Sequence, residues 1–265
     1  MRHRRFESVQ FERHSNQVLE VILDRQGDDL NRVDAAFHRE LALLFGDLRY
    51  ERDGRAILLT ARGKAFSAGG DFAWFPELRD RATLEALLLD ARRMIYDLID
   101  LHLPIVCAIN GPAVGLGASL ALLCDVIFIA ESASLRDPHV LVGLAAGDGG
   151  TIAWPLAIGP ARAKQYLLTG DSISAAEAER VGLVNFVVID DDVRTRALAF
   201  AGRLAALPPL ALRHTKASIN SGIRIHASTL FDQAAAYEIA TFASADHREA
   251  LASMLERRAP GYTGT

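Results

Sequence analysis

Pro104-Ile105-Val106-Cys107-Ala108-Ile109-Asn110-Gly111-Pro112-Ala113-Val114-Gly115-Leu116-Gly117-Ala118-Ser119 is the stretch on which the reading of this chain turns. Ile105 to Ile109 is an unbroken apolar run of strand length, opened by a proline. Asn110-Gly111-Pro112 ends it with a strong turn signal, and a glycine-punctuated apolar helix follows to Cys124, closed by Asp125. A strand that passes into a helix through such a loop presents outward-facing backbone N–H groups, an anion site by geometry alone. The loop lacks both the Lys-Ser/Thr ending of a nucleotide P-loop and the G-x-G-x-x-G of a dinucleotide site.

Outward from it, Leu19 to Leu23, Ala56 to Thr60 and Val126 to Ala130 read as further strands. Val33 to Leu48 reads as an amphipathic helix with Phe37, Leu41, Leu44 and Phe45 on one face, and Glu77 to Leu101 as helical. Alternating strands and helices, with strands almost wholly apolar, argue for a sheet covered on both faces. After Gly149 the pattern shifts to short helices at Thr151 to Ile158, Ala161 to Leu168 and Ala175 to Val181, with a last strand at Val184 to Val188. Beyond Asp192 only helical patterns remain, broken at Pro208-Pro209. The expected organisation is an α/β core domain over residues 1–195 and a helical C-terminal region over 196–265.

Composition narrows the function classes. Among 265 residues, Lys plus Arg number 29 against 33 acids, a net charge of -4, which argues against nucleic acid as the main partner. The least polar stretch, Ala113 to Cys124, is too short to span a membrane, which takes about 20 residues. Met1 to Ser15 carries Arg2, Arg4, Arg5 and Arg13 without an apolar core, so no secretory signal is read there. Cys107 and Cys124 lie in apolar runs and read as buried reduced thiols of a cytoplasmic protein. Neither has His or Cys companions at metal-binding spacing, and no metal is expected.

A second glycine loop, Ala65-Phe66-Ser67-Ala68-Gly69-Gly70-Asp71, follows the Ala56 to Thr60 strand. It is followed in order by Pro104 to Asp125, Pro138 to Gly150, Leu168-Thr169-Gly170-Asp171-Ser172-Ile173-Ser174-Ala175 with Gly182-Leu183-Val184, and Phe242 to Arg258. This series resembles the enoyl-CoA hydratase/isomerase family, the crotonase superfamily, over nearly the whole chain. The resemblance implies a crotonase-type α/β fold, a ββα spiral with a helical C-terminal trimerisation region. It implies a homotrimer or hexamer, for which the apolar residues Leu230, Phe231, Ala234, Ala235, Ile239 and Phe242 offer a contact face. It also implies an acyl-CoA substrate, with coenzyme A as part of that substrate and no separate cofactor, and a thioester enolate held by two backbone N–H groups. By position those donors are Gly70 and Leu116. Ala68, Phe72, Gly117, Ser119 and Gly147 are the expected substrate-binding positions, along with the region near Leu30. Arg257 and Arg258 sit where relatives place basic residues that reach a neighbouring subunit's CoA phosphates.

The departures carry the functional question. Hydratases of this family divide acid and base work between two glutamates. Those positions here hold Ser119 and His139. A serine hydroxyl is no acid or base near neutral pH, so the two-glutamate mechanism is not carried over. His139 stands in Asp137-Pro138-His139-Val140, with Asp148 nine residues on in Gly147-Asp148-Gly149-Gly150. An imidazole oriented by a carboxylate is a general base, whereas an Asp148 that merely caps the following helix is the plainer alternative. This one loop resembles the camphor-diketone hydrolases, superfamily members that cleave a C–C bond without CoA. The expectation is therefore a lyase or isomerase of the enoyl-CoA hydratase/isomerase group, in fatty acid metabolism, with His139 as base. The alternatives are a C–C hydrolase acting on a cyclic β-diketone and a non-catalytic CoA-binding member. Asp71 and Asp125 read as caps or turn formers, and His3, His14, His38, His102, His214, His226 and His247 as surface residues.

Overall fold

The computed structural model describes residues 6–78 and 80–265, so Arg2, His3, Arg4 and Arg5 lie outside the described residues. Val9–Arg13 (β1) and Val18–Leu23 (β2) pair as an antiparallel hairpin. Asp34 starts the helix Ala35–Leu48 (α1) by accepting from Phe37 N–H, a standard N-cap bond. Ala56–Ala61 (β3) is followed by the second glycine loop, and the helix Arg81–Ile99 (α2) begins where Asp80 accepts from Thr83 N–H. It therefore starts four residues later than its apolar pattern, because the cap decides the first turn. Next come Ile105–Ile109 (β4), Ala113–Val114 (β5), Leu116–Leu122 (α3), Val126–Ala130 (β6) and Ser134–Arg136 (β7). A tight turn over His139–Val142 leads to Gly150–Thr169 (α4), broken at Gly159 just before Pro160. Ser172–Ser174 (β8), Ala175–Val181 (α5), Phe186–Val188 (β9), Val193–Ala205 (α6), Pro209–Phe242 (α7) and Ala245–Glu256 (α8) complete the chain.

The main sheet runs β1-β2-β3-β4-β6-β9, parallel throughout except for the edge strand β1. Every residue of β2, β3 and β4 is buried, as expected when both faces are covered. That includes Glu20 in β2, whose carboxylate takes two bonds from Arg194 of α6 (2.6 and 2.7 Å) and one contact from His14 Nε2 (2.7 Å). A small second sheet, β5-β7-β8, sits apart and holds the functional loops. Its three strands are two or three residues long, too short for periodicity to reveal. Core side chains such as Phe37, Phe45, Phe66 and Trp154 are fully buried, each worth about 1.5–3 kcal/mol of apolar transfer.

Several expectations change. The division at residue 195 falls inside α6, whose Ala197, Ala201 and Ala205 are buried as it packs on β2, β3, β4 and β6. Both α6 and α7 thus contribute to the core of the sheet. Phe231 and Ala235 are buried in that core, with the Phe231 ring 5.8 Å from Tyr96, and Phe242 is buried in a smaller cluster with Leu78 and Leu144. Of the apolar face expected to meet other subunits, Phe231, Ala235 and Phe242 are thus buried within the chain, while Leu230, Ala234 and Ile239 are partly buried. His38 and His247 are buried rather than surface residues, because α1 and α8 turn them inward. Cys107 and Cys124 are free buried thiols, and Asp125 accepts from Ile105 N–H and from Lys216 Nζ as a structural tie. Among the described residues no helix is long and apolar enough to cross a membrane.

Glu51, just after α1, locks the hairpin to this helix. Its fully buried carboxylate accepts both Arg13 guanidinium nitrogens (3.0 and 2.8 Å) and the N–H groups of Asp53 and Gly54 (2.8 Å each). Burial opposes the charge, but those donors outweigh it and hold the group at about 2, below its ordinary 4.5. A depressed carboxyl pKa contributes stability that is present above pH 4.5 and lost as pH falls toward 2. Glu51→Gln is expected to cost about 1–3 kcal/mol in urea unfolding at pH 7. The gap between the two proteins should narrow as unfolding is repeated down to the acid end of that window; a constant gap would refute this.

Candidate active site

Two loops leave neighbouring strands and are tied side by side. Ser67 N–H donates to Pro112 O (3.2 Å), Val114 N–H donates to Ser67 O (2.9 Å), and Ser67 Oγ donates to Asn31 O (2.8 Å). Gly117 makes this possible by close approach, since a β-carbon there would lie 2.7 Å from Ser67 Cβ. On the first loop Val33 N–H donates to Gly69 O and Asp71 N–H to Val33 O, which leaves Gly70 N–H without a protein acceptor among the described residues. On the second, Leu116 opens α3, so its N–H has no partner within the helix. Gly70 and Leu116 line one cavity of about 600 Å3.

The same second loop positions the histidine. β5 pairs with β7, and Gly115 N–H donates to Arg136 O (2.9 Å), so the chain leaving β7 through Asp137-Pro138-His139 emerges beside Leu116. His139 lines the cavity. Its Nδ1 lies 2.5 Å from Asp137 Oδ1, while Nε2 lies 3.4 Å from Asp148 Oδ2 and 3.8 Å from Glu238 Oε1. Asp148 is steadied from behind by Ser119 Oγ at 3.2 Å. Gly150 lets the backbone pass against Asp137, because a β-carbon would sit 2.2 Å from Asp137 Oδ2.

The electrostatics follow from crowding three carboxyl groups around one imidazole. Burial disfavours the imidazolium, but Asp137 and Asp148 outweigh it and lift His139 well above its ordinary 6.5. Burial likewise opposes ionised Asp148, yet His139 and the Ser119 hydroxyl keep it below 3.8. Glu238 is the group left over. Burial raises it to about 8 against the pull of His139, with Asp148 and Asp137 adding to the rise. The surroundings thus favour a protonated His139, an ionised Asp148 and an uncharged Glu238. Although Asp137, His139 and Asp148 bring ligand-type atoms within 4.8 Å of one another, the imidazole gives a different nitrogen to each carboxylate. The three groups are occupied with each other.

The expected site residues divide accordingly. Gly70, Leu116, His139, Asp148, Ala68, Phe72 and Gly147 all line the cavity, with Phe72 half exposed and Ala68 N–H already given to Leu30 O. Ser119 and Gly117 do not line it; Ser119 is fully buried behind Asp148, and Gly117 packs on Ser67. Gly149 holds the N-cap position of α4, while the Asp148 carboxylate still takes the N–H of Gly150 in its first turn. The partner on His139 Nδ1 is Asp137, with Asp148 on the other edge of the ring. Arg258 is paired with Glu249 and Glu256 of its own chain, and Arg257 ends α8 in a left-handed turn. Sequence reasoning missed Asp137 as a functional group, although it lies in the quoted motif, and missed Glu238 and His38. The last two carry no local signal: α1 and α7 deliver them from far along the chain.

Comparison with known proteins agrees with the fold. Residues 13–265 match the family described as enoyl-CoA hydratase/isomerase. The chain is 36% identical over 208 residues to a crotonyl-CoA hydratase of Syntrophomonas wolfei, covering 76% of this chain and 78% of that one. It is 30% identical over 253 residues to a short-chain-enoyl-CoA hydratase of Clostridium acetobutylicum, covering 90% and 95%. Among solved structures, an enoyl-CoA hydratase/isomerase from Mycobacterium paratuberculosis superposes with a TM-score of 0.88 at 38% identity, covering 93% and 98%. A β-diketone hydrolase from the cyanobacterium Anabaena, bound to (S)-3-oxocyclohexyl acetic acid, gives 0.85 at 29% identity, covering 90% and 95%. The architecture is that of the crotonase fold. The chain belongs to the enoyl-CoA hydratase/isomerase family.

The geometry makes Asp137 the principal support of the imidazolium. Asp137→Asn keeps an acceptor for Nδ1–H but removes the charge, so the His139 pKa should fall. Imidazole nitrogen NMR titration of both proteins checks this; an unmoved midpoint would assign the effect to Asp148 alone.

Proposed function

We propose that the chain forms a stabilised enolate from an acyl-CoA thioester, with Gly70 and Leu116 N–H on the carbonyl oxygen and His139 moving the proton. The observation that supports this reading is His139 on the wall of the cavity that both free N–H groups line, with Asp137 fixing its Nδ1 edge. As the α-carbon loses its proton, charge grows on the thioester oxygen, and fixed donors in an apolar cavity favour that charge without reorganising. Neutral His139 accepts the proton and returns it to carbon in the isomerisation or addition that follows. Ser119 cannot take the place of a water-activating carboxylate, so simple enoyl-CoA hydration at family rates is not expected.

A second reading keeps the same parts and is favoured by the likeness to the β-diketone hydrolase. There neutral His139 takes a proton from water as the oxygen adds to one ketone of a cyclic 1,3-diketone. The C–C bond then breaks, its electron pair becomes the enolate held at Gly70 and Leu116, and the imidazolium protonates the carbon.

Both readings need His139 deprotonated before the reaction. Because its pKa is raised, kcat/KM should climb with pH through a midpoint above 6.5. Turnover of crotonyl-CoA, a cyclic enoyl-CoA and a cyclic β-diketone, measured on wild type and His139→Ala, tests the assignment. The variant should be about 10²–10⁴-fold slower on whichever substrate is active. Equal rates would remove His139 from the mechanism, and activity confined to the diketone would select the second reading.

A further inference from the structure

Glu238 and His38 line the cavity without a part in the steps above, as does Arg136, whose Nε is already given to Gly170 O. Glu238 of α7 faces the cavity, 3.8 Å from His139 Nε2, with Gly147 N–H as a backbone partner and no side-chain hydrogen bond among the described residues. His38 of α1 is buried, 6% exposed, and lies against the Trp74 ring at 5.8 Å; among the described residues its ring has no hydrogen-bond partner. The walls around them are hydrocarbon, including Leu78, Leu88, Ala91 and Ile239.

Neither group is charged near neutral pH. Glu238 is held protonated by burial, reinforced by Asp148 and Asp137 and opposed by His139, which are the charged groups acting on it. His38 is held neutral because burial pushes it to about 4, despite Asp90 and Asp148. An acyl chain made only of carbon and hydrogen would strip water from both groups and return nothing, an unfavourable exchange in an apolar cavity. A substrate with an oxygen beyond its enolate-forming carbonyl would restore the missing bond. We propose that the Glu238 carboxyl, on the cavity wall 3.8 Å from His139 Nε2, donates its O–H to a second oxygen of the substrate, so that the cavity selects a β-oxygenated acyl group over a plain hydrocarbon one.

The inference rests on the reading of this cavity as the active site. It also gives the reaction a direction. With one carbonyl at Gly70 and Leu116, a second carbonyl polarised by Glu238 becomes the electrophile nearest His139. Neutrality of the donor matters, because an ionised Glu238 would accept rather than donate and would repel a carbonyl oxygen.

The test compares ligands differing by one oxygen, 2,2-dimethyl-3-oxobutanoyl-CoA and 2,2-dimethylbutanoyl-CoA, whose quaternary carbon prevents enolisation between the carbonyls. Dissociation constants are measured on wild type, Glu238→Gln and Glu238→Leu, with 2,2-dimethylcyclohexane-1,3-dione and 2,2-dimethylcyclohexanone as the pair free of CoA. Wild type should prefer the dicarbonyl member by about 10-fold or more at pH 7. Glu238→Gln, which keeps a neutral donor, should retain most of that preference, and Glu238→Leu should lose it while still binding the hydrocarbon member. Raising the pH through about 8 should erode the preference in wild type but not in Glu238→Gln. Binding of both members without discrimination, or equal loss in both variants, overturns the proposal alone. Failure of both pairs to bind wild type overturns the active-site reading, and the proposal with it.

Discussion

Everything functional in this molecule depends on a narrow strip of backbone pairing, in which Ser67 is bound to the Pro112–Val114 segment and that segment in turn to β7. The strip is only a few hydrogen bonds wide. It nevertheless brings together three stretches of chain that leave different strands of the main sheet, and each delivers one component. The Gly70 loop and the Leu116 loop deliver free N–H groups, and β7 delivers His139. Breaking the pairing at Ser67 would separate these components without touching the main sheet, whose buried parallel strands rest on their own contacts with α1, α2 and α6.

The site's electrostatics are a consequence of the same convergence. One imidazole among Asp137, Asp148 and Glu238 cannot satisfy all three carboxyl groups as anions, and the least exposed to donors keeps its proton. The proton that Glu238 keeps and the charge that Asp148 carries are therefore set together, by the imidazole between them and by each other. Ser119 has a definite place in this scheme: its hydroxyl holds Asp148, so it contributes to the charge balance without reaching the cavity.

The sequence was most informative where the pattern was local and long. The apolar runs of β2, β3, β4 and β6, the proline-flanked turn at Asn110-Gly111-Pro112 and the amphipathic stripe of α1 could be read directly, since each is set by neighbours in the chain. β5, β7 and β8 escaped because two or three residues carry no period, although they form the sheet that organises the site. Gly70, Leu116 and His139 were legible through the motifs around them. Glu238 and His38 were not, because nothing near them in sequence announces a cavity; only the packing of α7 and α1 turns them inward. Of the apolar stripe on α7, Phe231, Ala235 and Phe242 pack within this chain, a pairing that a one-dimensional pattern does not specify.

The turn that carries His139 is clamped from the far end of the chain. His247 Nδ1 meets Val142 O at 2.6 Å, and Gly143 lies so close to α8 that a β-carbon would fall 2.8 Å from His247 Cα. Phe242 closes the cavity beside it, and Glu238 comes from the same last stretch of helix. During synthesis the ribosome makes the sheet, both loops and the histidine long before it makes these residues. A nascent chain can thus build its central sheet early, yet the pocket gains its final wall only with the last few dozen residues, so a premature stop there would leave the sheet with an unfinished cavity.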